Sequence, residues 1–284
     1  MAIITLTNKY IVMKNISKLG CITALALLML NSCQKMDRPE LDPNFPTDQP
    51  LPGGDLRFFV PFGGTEAFSR LNSRDSISGH PAQISPLSVV PNGITGDALQ
   101  GADGKAATYL DANDFKATSS FTMAFWMKSA ARAGRTEFIM SLVQPGFAWH
   151  SSSLFILVEN QTPTSVTMKV GVKDQWLEGN FNRPMFDDQW HHIVYSFNNA
   201  AKKMTYYFDG VEVTGLSNAQ YNVANSVSFT GASNLILGGW NKHGGAGGAS
   251  DDWVKSYNGL IDQFRLYNRA LSASEAMALF TSKQ

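Results

Sequence analysis

The chain has 284 residues, with 23 Lys and Arg against 23 Asp and Glu and a formal net charge of zero at pH 7. That balance gives no electrostatic case for nucleic acid, and no basic run tracks a phosphate backbone. Both cysteines, Cys21 and Cys33, fall near the start, so the body of the chain holds neither a disulfide framework nor a Cys-ligated zinc site.

Taken in chain order, the first element is an export signal. Lys14 and Lys18 precede an apolar run from Cys21 to Leu30, the makeup of a signal peptide and too short to span a bilayer. Met13-Lys14-Asn15 reads as a more natural start than Met1. Leu30-Asn31-Ser32-Cys33 then resembles the lipobox of bacterial lipoproteins. That resemblance implies cleavage before Cys33 and lipidation of its thiol. Each buried CH₂ of an acyl chain contributes about 0.8 kcal/mol, so several chains hold a protein on a membrane. Residues 1–32 are therefore read as a signal peptide and residues 33–54, which carry Pro39, Pro43, Pro46, Pro50 and Pro52, as an extended tether. Asp37, Glu40 and Asp42 resemble the surface-export signals of Bacteroidetes lipoproteins. The expectation is a lipoprotein of the outer membrane, on its surface or periplasmic face, touching the membrane through its lipid alone.

Residues 55–284 read as one β domain. Strand signals recur at 56–60, 121–128, 137–143, 154–159, 190–197, 203–208, 235–237 and 260–267. Val166, Met168, Val170 and Val172 alternate with Thr167, Lys169, Gly171 and Lys173, the pattern of a half-buried strand. Asp209-Gly210 joins 203–208 to 211–213 as a hairpin turn. Many short strands separated by turn residues predict an all-β, two-sheet antiparallel jelly-roll sandwich. In the last strand, alternation puts Leu260, Asp262, Phe264 and Leu266 on one face, with Ile261, Gln263, Arg265 and Tyr267 on the other. Ser272-Ala273-Ser274-Glu275 is a capping box that opens a short C-terminal helix.

Six segments in order carry a family resemblance. They are Gly96-Asp97-Ala98-Leu99, Phe121 to Trp126, Trp190-His191-His192-Ile193-Val194, Tyr207-Phe208-Asp209-Gly210, Leu235 to Gly239, and Gly259 to Ser272. Together they resemble the laminin-G-like group of the concanavalin A-like lectin/glucanase superfamily. The resemblance implies two curved antiparallel sheets, and a superfamily of lectins, adhesion modules, hydrolases and spacers. It also implies one structural calcium ion held by Asp262, whose carboxylate on a buried face needs a partner.

The residues point to binding more than to catalysis. Retaining glycosidases need two carboxylates about 5 Å apart, and the Glu-x-Asp-x-x-Glu strand motif of the glucanases is absent. Carboxylates from separate strands remain open as a pair. His191 and His192 are strand neighbours that face opposite ways, so they do not jointly chelate an ion. No nucleophile elbow is present, and the glycine-rich 243–250 segment lacks a phosphate loop's Lys and reads as a mobile rim loop. Trp126 and Trp190 fall in strands and read as core. Trp149, Trp176, Trp240 and Trp253 lie in or beside polar loops, where an indole left in water forgoes about 1.5–3 kcal/mol. Aromatic faces stack on the C–H face of sugar rings while neighbouring polar groups bond the hydroxyls. Asn241, His243, Asp251 and Asp252 are the neighbouring polar candidates. The leading expectation is non-catalytic binding of a glycan or polysaccharide. The alternative is a protein–protein or structural module of a cell-envelope complex, and a glycoside hydrolase comes third. Clustered, exposed indoles favour sugar; scattered, buried ones do not.

Overall fold

A computed structural model of the protein describes residues 54–63, 87–109, 112–144, 148–245 and 251–283. The signal peptide, the lipidation site at Cys33 and all but the last residue of the tether lie outside the described residues. So does the 246–250 part of the glycine-rich segment. Among the described residues no helix is long and apolar enough to cross a membrane.

Two antiparallel sheets form a sandwich. The first contains β1 (Leu56–Val60), β2 (Ser88–Pro91), β3 (Asp97–Gln100), β5 (Phe121–Ala130), β10 (Asp187–Asn198), β11 (Lys203–Phe208), β12 (Val211–Glu212) and β15 (Leu260–Tyr267). Its order is β12-β11-β10-β5-β15-β3-β2, and β1 shares the β15 edge with β3. The second contains β4 (Ala107–Tyr109), β6 (Thr136–Leu142), β7 (Leu154–Glu159), β8 (Val166–Val172), β9 (Gln175–Phe181), β13 (Leu235–Leu237) and β14 (Val254–Ser256), in the order β4-β13-β6-β7-β8-β9. Here β14 runs parallel to the start of β6. Five strands, β2, β3, β4, β9 and β14, are not among those expected from the sequence, because they are short or interrupted by polar residues and glycine.

Period-2 alternation builds the core. Met123, Phe125 and Met127 of β5, with Ile193, Tyr195 and Phe197 of β10, face Leu154, Ile156 and Val158 of β7 and Met168, Val170 and Val172 of β8. The Asp209-Gly210 turn joins β11 to β12 with φ of 50° and 78°, the doubly positive pair of a type I′ hairpin.

The last strand departs from strict alternation. β15 is bulged against β5 between Asp262 and Arg265, and Gln263 takes φ 48°. One extra residue reverses the facing of everything beyond it. Ile261 therefore joins Phe264 and Leu266 in the core. Asp262 does not share the face of Phe264 and Leu266, as strict alternation had implied.

The C-terminal helix α2 (Ala273–Ser282) follows a short helix α1 (Asn218–Tyr221). Its capping box is formed, with Glu275 N–H donating to Ser272 Oγ and the Glu275 carboxylate accepting from Ser272 N–H. α2 covers the outer face of the first sheet. Ala276 packs with Ala124, Val194 and Tyr207, and Phe280 stacks on Trp126 at 5.5 Å. Trp126 is thus buried beneath the helix and outside the sandwich core. Trp190 is only half-buried, beside the irregularity of β10 between Asp187 and Trp190, which corrects its assignment to the core.

Candidate functional site

The outer face of the second sheet carries its own apolar cluster, made of Phe138, Trp149, Phe155, Leu157, Trp240 and Val254. It starts from a close approach in the sheet. Phe155 of β7 lies opposite Gly171 of β8, and a Cβ at Gly171 would stand 1.9 Å from the Phe155 ring. Glycine there lets the ring lie flat on the strand. Trp149, from the 3₁₀ turn Trp149–Ser151, packs edge-on over Phe155 at 6.0 Å and Phe138 at 6.1 Å.

Two further indoles meet Trp149. Trp176 of β9 lies 5.3 Å away at 34°, and Trp253, just before β14, lies 5.6 Å away at 90°. Trp149 is buried, while Trp176 is 41% and Trp253 51% exposed. Three segments far apart in sequence thus raise one aromatic platform. β9 places Trp176 on a strand, opposite Gly171 of β8.

The other candidates sit differently. Trp240 and Asn241 are fully buried. Trp240 lies 6.3 Å from Phe138, and the Asn241 amide donates to the Gln144 carbonyl at 3.2 Å. Both lie beneath the surface, not on it, because β13 ends at Leu237 and the chain turns at Gly238 (φ 80°) onto the sheet. His243 is half-buried against Trp240, and burial pushes its imidazole down to about 4. Asp252 is exposed and pairs with Lys242 beside Trp253. Asp251 is half-buried, and its carbonyl accepts from Val254 N–H at 3.1 Å.

Sequence reasoning missed the polar row next to the indoles. Lys169 of β8 reaches Glu159 of β7 at 2.9 Å and Glu178 of β9 at 3.4 Å, with its ammonium 5.8 Å from the Trp176 ring centre. Carboxylates from separate strands do converge here, because the register of β7, β8 and β9 brings the three residues to neighbouring outward positions. A retaining hydrolase needs one carboxyl as proton donor and one free to attack, whereas both of these are tied to one ammonium.

The two histidines face opposite ways. His191 bridges Asp209 (Nδ1, 2.8 Å) and Asp187 (Nε2, 3.0 Å). Burial alone would lower its pKa, but those bonds raise it. His192 is buried against Trp126 with no hydrogen-bond partner on either ring nitrogen among the described residues, and burial pushes it down to about 3. Neither histidine belongs to the platform.

Asp262 is fully buried on the first sheet. Its Oδ2 accepts from Ile94 N–H at 2.6 Å and Thr95 N–H at 3.4 Å, and its Oδ1 from Gln263 N–H at 2.7 Å. Burial pushes the carboxyl up to about 7, against the pull of these donors. Calcium is held by oxygen donors, whereas the positive ends of three amides converge on this carboxylate. Those surroundings are those of an acceptor that fastens the 93–96 turn. Among the described residues no group of three or more His, Cys, Asp or Glu converges. We expect the same melting temperature in calcium and in chelator; a calcium-induced rise that Asp262→Ala abolishes would put an ion there.

The Laminin_G_3 family model, described as the Concanavalin A-like lectin/glucanases superfamily, matches residues 101–277, more than half of the chain. The chain belongs to that superfamily. No curated protein matches it. Among solved structures, the Trypanosoma rangeli sialidase in complex with sialic acid is similar at a TM-score of 0.54 and 16% identity, over 82% of this chain and 34% of that one. The botulinum neurotoxin serotype D binding domain is similar at 0.52 and 11%, over 80% and 52%. The chain thus spans about a third to a half of these proteins, and at such identities the likeness is one of fold. In this chain Asp262 and the capped helix belong to the first sheet, and the indole platform stands on the second.

Proposed function

We propose that the outer face of the second sheet binds carbohydrate, a glycan or polysaccharide, without catalysis. One observation carries this reading: Trp149, Trp176 and Trp253 come together, and two of the three remain about half exposed. Large apolar side chains gathered in water mark an interaction site, and flat aromatic faces beside the carboxylates and ammonium of Glu159, Lys169 and Glu178 suit rings that are apolar on one face and hydroxylated at the rim. The test is a glycan array probed with the full chain. Retention of a glycan supports the reading; no retention, with capture of an envelope protein through the same indoles, replaces it with the partner-protein alternative.

The leader supports the further proposal that Cys33 anchors the domain to the outer membrane, with residues 33–54 as tether. Cells grown with a labelled fatty acid should incorporate label into the wild type and not into Cys33→Ala; label that survives the substitution ends this proposal.

A further inference from the structure

Charge on the platform narrows the class of sugar, an inference that rests on the carbohydrate reading. The outward positions of β7, β8 and β9 hold one cation, Lys169, and two carboxylates, Glu159 and Glu178. Lys169 is nearly buried between them, with 12% of its side chain exposed, while Glu178 remains 44% exposed. The outward face of β7, β8 and β9 therefore carries one uncompensated negative charge and no uncommitted ammonium. At the Trp253 end, Lys242 is paired with the Asp252 carboxylate, and Lys255 donates to the Asp252 carbonyl.

We propose that this site takes uncharged sugars and rejects those bearing a carboxylate, such as sialic and uronic acids. An acidic sugar seated on Trp176 would meet the Glu178 carboxylate, and Lys169 could serve it as a counter-charge only by leaving its two ion pairs. A hydroxylated neutral ring asks for neither, because a carboxylate accepts from its hydroxyls. The face continues past Lys169 with uncharged groups: the Thr167 hydroxyl donates to the Asn180 amide oxygen at 3.4 Å and accepts from the Asn160 amide at 3.2 Å. From Trp176 to Asn180 along β9 is about 13 Å at the usual rise per residue, so the site has room for more than one sugar ring.

The experiment is the full chain at pH 8 on an array that pairs neutral oligosaccharides with sialylated and uronic-acid-containing versions of the same backbones. Carboxylated versions should be retained at least about tenfold less, as expected for one repulsive charge contact. Glu159→Gln with Glu178→Gln releases Lys169 and should raise carboxylated over neutral retention about fivefold, the upper end for a half-exposed ion pair. Glu178→Gln alone should move it the same way by less, and serves if the double variant does not fold. Equal or stronger wild-type retention of the carboxylated versions overturns the charge selection and leaves carbohydrate binding standing. Retention of no glycan of either class removes the carbohydrate reading itself.

Discussion

Replacing Trp176 and Trp253 together by alanine should remove glycan retention while leaving the fold intact. Each indole offers about half its surface to solvent, so neither contributes to folding as a buried tryptophan does. A well-placed aromatic anchor contributes about 2 kcal/mol or more to binding, or about thirtyfold per residue in affinity. The double variant should therefore lose binding beyond ordinary detection, with a melting temperature within a few degrees of the wild type. Trp149→Ala should behave differently. Trp149 is buried over Phe138 and Phe155, and its loss should lower both stability and binding, because it supports the two exposed indoles. Undiminished retention by the double variant would place recognition elsewhere.

The second large effect concerns Asp262. Alanine there leaves the N–H groups of Ile94 and Gln263 without their acceptor, and an unsatisfied buried donor costs about 1–3 kcal/mol. A loss of at least about 2 kcal/mol, or about 4–8 °C in melting temperature for a domain of this size, is expected at pH 5. The pH dependence has a definite sign. Burial raises the folded carboxyl to about 7 from an ordinary 3.8, so between those values the folded protein holds more protons than the unfolded chain. Stability contributed by this group is then fully present below about 4 and declines as pH rises to about 7. The deficit of Asp262→Ala relative to wild type should shrink over that window. A deficit that grows with pH would mean that the three amides outweigh burial and hold the carboxylate ionised.

These two sites also show how far the sequence was legible. Local signals were read correctly where a few adjacent residues decide the geometry. Asp209-Gly210 forms the hairpin because both residues accept positive φ, and Ser272 with Glu275 caps α2 through reciprocal bonds. The last strand shows where alternation stops being informative. One extra residue at Gln263 moves Ile261 into the core and Asp262 out of it, and period 2 carries no mark of a bulge. β9 was overlooked because Gln175-Trp176-Leu177-Glu178-Gly179-Asn180-Phe181 alternates around polar residues and a glycine. That omission left Trp176 beside a loop, although it stands on a sheet. The separation of the four loop tryptophans into a platform of three and a buried fourth is decided by topology. β14 pairs with β6, which brings Trp253 near Trp149, and Gly238 turns Trp240 inward. The Glu159, Lys169 and Glu178 row needed the register of β7, β8 and β9 before its members could be seen as neighbours.

Recognition by the indoles is tested most directly by following the indole N–H resonances of the six tryptophans of ¹⁵N-labelled protein as a neutral oligosaccharide retained on the array is added. The signals of Trp176 and Trp253 should shift in a saturable way, with Trp149 following through its contacts, while Trp126 under α2 stays fixed. A glycan that binds and shifts Trp190 or Trp126 while leaving Trp176 and Trp253 unmoved would contradict the platform as the site.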